Sequence, residues 1–473
     1  MRTLNKILFV VFLISLFDNS SLAQNYGVWI IIDSTIVRRH SPSSALLKNG
    51  NILLSGGDVG GYSAITSISC EIYDTTIKRW RLTNDMNIPR VSHRSVTLPN
   101  GKVLVIGGFS NGFYTKSCEI FDPTTEIWLI TDSLITLREH GYTITVLKDS
   151  NVLIAGGWNR YEGALNKCEI YDIKQNRWRE IDTLRIKRET HTATLLPDGR
   201  VLIAGGGRGG GNNLGFCEIY DPIKDSFYLV RQMNTPREEH SAVLLPNGKV
   251  LVSGGINDPT TSGLRGIEIY DPQKDLWFLV DSLILRRKRH YNIILNDSLI
   301  LFTGGGTSSD TWEIYDFKNF RPLHVEYLPI NLYGQMVHSL GGGKAVCLGG
   351  WQFFFIGDDK YLYPSRQVLI YDLLVTSVKN YENKQVKTFE LYQNYPNPFN
   401  PTTTIKFSLP EKTNVKISVY NLMGQRVKEL LNEAIEAGIH TINFDGDGLP
   451  SGIYFYKIEA GKNIDIKKMI LVK

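Results

Sequence analysis

Four histidines, His93, His191, His240 and His290, and one basic run, Arg286 to His290, are the side chains of this 473-residue chain whose types could carry chemistry. An imidazole titrates near neutrality and can act as general base or metal ligand. Five adjacent cationic residues would suit a phosphate, a sulfate or an acidic glycan. Their placement argues for a plainer role. All four histidines fall in one repeated column, with Pro42 and Tyr142 at that position elsewhere, and Arg287 and His290 belong to the same Arg-x-x-His pattern. A repeated residue is structural more often than catalytic, because chemistry needs different groups converging on one substrate.

The other candidates dissolve in the same way. Cys70, Cys118, Cys168 and Cys217 share one column, and Cys347 stands in a different strand. A disulfide needs Cα atoms within about 7 Å, which equivalent positions of neighbouring repeats do not offer. The thiols therefore read as small packing residues, and neither a metal centre nor a cofactor is expected. Asp445-Gly446-Asp447-Gly448 has the acidic spacing that begins calcium loops, but the glutamate needed eleven residues on is Tyr456, so a solvated turn is expected.

The elements that position these residues are repeats. Apolar strands run into glycine pairs starting at 56, 107, 156, 205, 254, 304 and 349, a period near fifty. That length calls for one small sheet per repeat, buried only against its neighbours. The unit is clearest from Arg188 to Phe227: a Pro197-Asp198-Gly199 hairpin turn, the strand Val201 to Ala204, the glycine pair, a variable loop, then Cys217 to Asp221 and an aromatic ten residues after Cys217. Trp80, Trp128, Trp178 and Trp277 keep that spacing, and Tyr73, Phe121, Tyr171, Tyr220, Tyr270, Tyr315 and Tyr371 form a second aromatic column.

This pattern resembles the kelch repeat over roughly residues 25 to 375, which implies a seven-bladed β-propeller spanning 24–375. The seventh unit lacks its own last aromatic strand. Trp29, with Asp33 four residues later as in Trp128 and Asp132, supplies it, so residues 28–32 are expected to pair with the strand around Val368 to Tyr371 and close the ring. Some kelch propellers are copper-radical oxidases resembling galactose oxidase, which carry a tyrosine directly followed by a histidine. No such dipeptide occurs in this chain.

Residues 1–23 carry Arg2 and Lys6, an apolar run from Ile7 to Phe17 and Ser21-Leu22-Ala23, and read as a secretory signal peptide. No segment approaches the twenty apolar residues of a membrane-spanning helix. The net charge of +5 falls by one without that segment and points to no nucleic acid. A polar linker, 376–388, leads to residues 389–473, whose period-two alternation predicts a small Ig-like antiparallel β-sandwich. This segment resembles the C-terminal sorting domain of type IX secretion cargo. The likeness rests on Asn394, Tyr395, Pro396, Asn397, Pro398 and Phe399, on Gly424, on Ser451, Gly452 and Tyr454, and on Lys468 to Lys473. It implies a translocon as partner through 389–473, and passage through the periplasm to the surface or surroundings of a Gram-negative bacterium.

Function is expected in the loops that break the symmetry. After the glycine pairs these carry Phe109, Phe113 and Tyr114, then Trp158, Arg160 and Tyr161, then Arg208, Asn257, Asp258 and Trp351. Exposed aromatics with a few polar groups suit sugar rings or protein hot spots. The expected function is a monomeric, non-catalytic binding or adhesion module for a protein or glycan. The alternative is a carbohydrate-active enzyme at the channel mouth, a sugar epimerase, a lyase or a galactose-oxidase-like oxidase.

Overall fold

The computed structural model describes residues 26–472 apart from 61–64, 210, 259–261, 306–309, 331, 333, 357–358, 374–388, 393, 395–396 and 398, with the backbone alone at 351–356, 359–364, 439 and 441. The expected signal peptide at 1–23 and the expected linker at 376–388, with Tyr395, Pro396, Pro398 and Lys473, lie outside the described residues. Every regular element among those described is a β-strand.

One repeat shows how the sequence builds a blade. Strands Thr192–Leu195, Val201–Ala204, Cys217–Asp221 and Ser226–Val230 pair in that order, all antiparallel, with Thr192 opposite Ala204, Val201 opposite Tyr220 and Tyr220 opposite Phe227. The second strand is buried at all four positions, so its apolar run needs no alternation. Gly205 and Gly206 then leave it with φ of +61° and +101°. A Cβ on Gly205 would lie 2.5 Å from the Arg237 carbonyl oxygen and 2.9 Å from the His240 ring. One on Gly206 would lie 2.6 Å from the Glu189 carbonyl oxygen and 2.8 Å from His191. The glycine pair is therefore a slot between one blade's histidine and the next, which no side chain can enter.

Seven such four-stranded sheets follow one another, blade I from Ser43–Leu46 to Arg79–Thr83 and blade VI from Tyr291–Ile294 to Arg321–Tyr327. Blade VII assembles Met336–Gly341, Lys344–Leu348 and Gln367–Asp372, and takes Val28–Ser34 as its outer strand. Trp29 stands opposite Tyr371 in that pairing, and Val28 opposite Asp372. The two rings are 5.5 Å apart, in the place of the Tyr–Trp contacts at 5.3 Å in blade I and 5.1 Å in blade III. Each hydrophobic core takes one face from each of two neighbours. Leu153 and Ile170 of blade III meet Val201, Ile203 and Tyr220 of blade IV, and the last core joins Ile52, Leu54 and Tyr73 of blade I to Val346, Leu348 and Val368 of blade VII. The ring is closed.

Six blades also share a buried ion pair. Arg39–Glu71, Arg90–Glu119, Arg138–Glu169, Arg188–Glu218, Arg237–Glu268 and Arg287–Glu313 meet at 2.6–3.1 Å with side chains at most 1% exposed. In blade IV the Arg188 guanidinium donates to the Gly205 and Phe216 carbonyls at 2.7 and 2.9 Å, and Glu218 accepts the Arg185 and Ile186 amides at 2.7 and 3.2 Å. The arginine thus locks the glycine corner, and the glutamate holds the strand that enters from the preceding loop. In blade VII Leu332 and Leu369, both fully buried, take the two places, and Pro329 stands where the Arg185 amide would be. Acceptor and donor disappear together there, and the pair becomes hydrophobic contact.

The C-terminal segment forms a three-stranded sheet of Glu390–Leu391, Thr402–Leu409 and Gly438–Asp445 and a four-stranded sheet of Arg426–Ile435, Thr413–Tyr420, Gly452–Ala460 and Asn463–Leu471. Their inner faces share one core, including Ile405, Phe407, Ile417, Phe444, Tyr456 and Leu471.

Candidate functional site

The start of each first strand and the loop after each glycine pair lie at the same end of the blade, since Thr192 pairs with Ala204 just before Gly205. First strands of adjacent blades also bond to one another. Ser43 and Ser95 share a 2.6 Å hydroxyl bond, and His338 Nε2 meets Ser44 Oγ at 2.6 Å from blade VII to blade I. They therefore surround the axis, and the loops ring its mouth.

Blades II and III bring their loops together. Phe109–Ser110 pairs with Phe113–Tyr114, and Trp158–Asn159 with Gly163–Ala164, as two short ribbons. Phe109 meets Tyr114 edge to face at 5.2 Å. The Arg160 guanidinium lies 5.6 Å from the Tyr114 ring centre, while its Nε donates to Glu139 Oε1 at 2.7 Å. Burial opposes ionisation of Glu139, but the Arg160 side-chain and backbone bonds win and hold its carboxyl below the ordinary range. Trp158 stacks on His140 at 4.9 Å, and His140 Nδ1 is 3.2 Å from Glu189. Tyr161 and Phe113 flank this cluster with 78% and 77% of their surface exposed, far beyond what packing requires.

Other expected residues stand apart. Arg208 is exposed on the loop of blade IV, and Asn257 and Asp258 are exposed on that of blade V. Trp351 begins a longer ribbon, Trp351–Ile356 with Asp359–Pro364, whose side chains lie outside the described residues.

Nothing in the repeat pattern flags Glu139, Glu189 and Glu238, each directly after a column arginine, because blades I, II and VI place His40, Val91 and Lys288 there. The structure puts them at the mouth. Glu238 accepts the Thr190 hydroxyl at 2.9 Å. Burial pushes its carboxyl up, the Glu239 and Glu189 charges add to that, and Thr190 opposes. The basic run is divided: Arg287 goes to Glu313, Arg286 donates to the Gly263 carbonyl at 3.0 Å, and Arg289 pairs with Glu239.

The column histidines face neither mouth nor channel. His93, His191, His240 and His290 are at most 6% exposed, and their Nε2 atoms meet Ser55, Thr143, Thr192 and Ser253 hydroxyls at 2.8–3.0 Å. Burial first, then the Arg237 charge, brings His240 down to about 3 from its ordinary 6.5. An imidazole kept neutral when folded binds a proton more readily once unfolded, so its contribution is present above pH 6.5 and lost as pH falls towards 3. Gln335 fills the same slot against Gly304. The variant His240→Gln is therefore expected to fold and to show a flatter decline of urea midpoint between pH 6.5 and 3. An unchanged slope would remove His240 from that account.

The family model of the attractin/LZTR1 β-propeller matches residues 59–306, more than half of the chain. The chain belongs to the attractin/LZTR1 β-propeller family. Residues 393–473 match the secretion system C-terminal sorting domain, so this propeller is exported by the type IX system, to the cell surface or the medium, and its tail engages the secretion machinery. No curated protein matches the chain. Among solved structures, a fungal alcohol oxidase of the AA5 family in complex with copper aligns with 95% of this chain and all of its own at a TM-score of 0.59 and 14% identity, which shows shared fold alone. The structure of YjhT aligns with 63% of this chain and all of its own at 0.47 and 14%.

The sorting residues hold the tail's two ends together. The Asn394 backbone amide donates to the Tyr456 hydroxyl oxygen at 2.7 Å, Asn397 Oδ1 accepts the Ile470 amide at 2.8 Å, and buried Phe399 exchanges backbone bonds of 2.9 Å with Ile470 and Val472. Tyr454 donates to the Pro450 carbonyl at 2.8 Å, next to Ser451 and Gly452. Gly424, at φ +75°, closes an exposed turn, and Lys468 is exposed. Asp447 donates its amide to Asp445 Oδ1 at 2.9 Å, as a turn does.

Proposed function

We propose that the propeller is an exported binding or adhesion module whose loop face engages a glycan or protein ligand, after a signal peptide at 1–23 takes the chain to the periplasm of a Gram-negative bacterium. The observation that carries this reading is the cluster across blades II and III. Arg160 is anchored by Glu139 and Tyr114, so its exposed guanidinium is already oriented, and Tyr161 and Phe113 offer aromatic faces beside it. A pre-positioned cation among exposed aromatics loses little side-chain freedom on binding. Glycan-array and surface pull-down measurements test it. Arg160→Ala is expected to weaken the ligand found by about tenfold or more while the propeller stays folded, as read by circular dichroism. Unchanged binding would remove the cluster from the interface.

A second reading, a sugar epimerase or lyase, is favoured by Glu238, whose raised carboxyl beside Glu189 and Glu239 is the environment of a general acid. Turnover lost in Glu238→Gln would support it. A galactose-oxidase-like copper centre does not fit the residues present. The column histidines are engaged with hydroxyls, and among the described residues no three His, Cys, Asp or Glu side chains gather as a metal site.

A further inference from the structure

One level below the histidine slot, each blade contributes the first residue of its innermost strand. These are Ser43, Arg94, Thr143, Thr192, Ser241, Tyr291 and Met336, each opposite the residue that precedes its glycine pair. Four of the seven are hydroxyl residues with short side chains. Ser43 spends its hydroxyl on Ser95, Thr143 on His191 and Thr192 on His240. The pattern breaks at three places: Met336 in blade VII is apolar, and Arg94 in blade II and Tyr291 in blade VI are polar and stand on opposed sides of the ring.

Arg94 is the one charged side chain in this ring. It is exposed, on a strand whose free side faces the axis, and it has neither an ion pair nor a side-chain hydrogen bond among the described residues. The contrast with the arginines around it is sharp. Arg90, Arg188, Arg237 and Arg287 are each held by a glutamate and by carbonyl oxygens, and Arg160 and Arg289 at the mouth also have carboxylate partners. The ring itself holds no carboxylate that could neutralise Arg94. Burial pushes the Tyr291 phenol up, so it stays protonated and able to donate, while the Arg94 charge pulls it the other way. A guanidinium presents paired N–H donors that match a planar carboxylate, and a phenol O–H adds a third donor from the far wall.

We infer that Arg94 and Tyr291 form an anion site inside the propeller channel that takes the carboxylate of a small ligand. The site is separate from the loop face: it selects by charge inside the channel, whereas the aromatic cluster selects by ring stacking at the rim.

Calorimetric titration of the full chain tests this, with D-glucuronate as the carboxylate probe, D-glucose as its neutral counterpart and inorganic phosphate as a competing oxyanion. Glucuronate is expected to bind, and glucose to bind at least about tenfold more weakly. Arg94→Met should weaken glucuronate about tenfold or more and Tyr291→Phe about threefold, with the Arg94→Met melting temperature little changed, since that side chain has no ion pair or hydrogen bond to lose. Equal affinity for glucuronate and glucose, no binding of glucuronate, wild-type affinity in Arg94→Met, or binding of phosphate alone would each overturn the assignment. Loss of glucuronate in Arg160→Ala with none in Arg94→Met would overturn the channel site while leaving the loop face standing.

Discussion

Replacing Glu218 by alanine is expected to destabilise the propeller by about 3–5 kcal/mol, the usual consequence of stranding one member of a buried ion pair. The change removes the carboxylate from Arg188, which is fully buried, and withdraws the acceptor from the Arg185 and Ile186 amides. Coulomb attraction alone does not set the size of the effect. The larger part is the desolvation of a guanidinium and two amides left without a partner. Blade VII supplies the control, because Leu332 and Leu369 occupy the same places without any charge. The double variant Arg188→Leu, Glu218→Leu should therefore recover a substantial part of the loss, although the Arg185 amide remains where blade VII has Pro329. Urea unfolding of the three proteins decides the matter. A Glu218→Ala loss below about 1 kcal/mol would place that glutamate in a far wetter environment than the structure gives it.

Trp29→Ala should have an effect of similar size, about 3–5 kcal/mol, the range for deleting a large aromatic from a core. Trp29 is 5% exposed, lies against Tyr371 and belongs to the core that joins blades VI and VII. Its loss empties the contact that holds the closing strand. Trp29→Phe should retain most of the stability, since Phe227 fills the same column in blade IV and packs against Tyr220 with ring centres 4.9 Å apart. The readout is the melting temperature of both variants. If alanine and phenylalanine behave alike, the closing strand is held by its backbone ladder and not by this ring.

The ring was legible in the sequence because its marks are steric and repeat. The glycine pairs cannot be replaced where a histidine from the next blade fills the space, and the tyrosine and tryptophan columns keep a fixed register, so Trp29 could be placed by offset alone. The ion pairs were harder to see. The glutamate lies some thirty residues beyond its arginine, across a loop of variable length, and neither residue type announces burial. The mouth was less legible still. Glu139, Glu189 and Glu238 follow the column arginines but are not constant, and only the fold shows Glu238 against Thr190. Arg94 could not be singled out from sequence, since what distinguishes it is the absence of the partner that its neighbours have. Of the expected loop residues, Phe109, Tyr114, Trp158, Arg160 and Tyr161 gather on adjacent blades, whereas Arg208, Asn257 and Asp258 belong to loops further round.

Closure of blade VII by Val28–Ser34 ties together residues far apart in the chain: the Tyr371 hydroxyl bonds to the Tyr26 carbonyl across 345 residues, and Arg366 to Thr35 across 331. The first strand to leave a narrow exit must wait for the last before it has a partner. During vectorial delivery the propeller is thus an unfinished arc until residue 372 has passed, so completion of the ring reports that the whole domain has arrived.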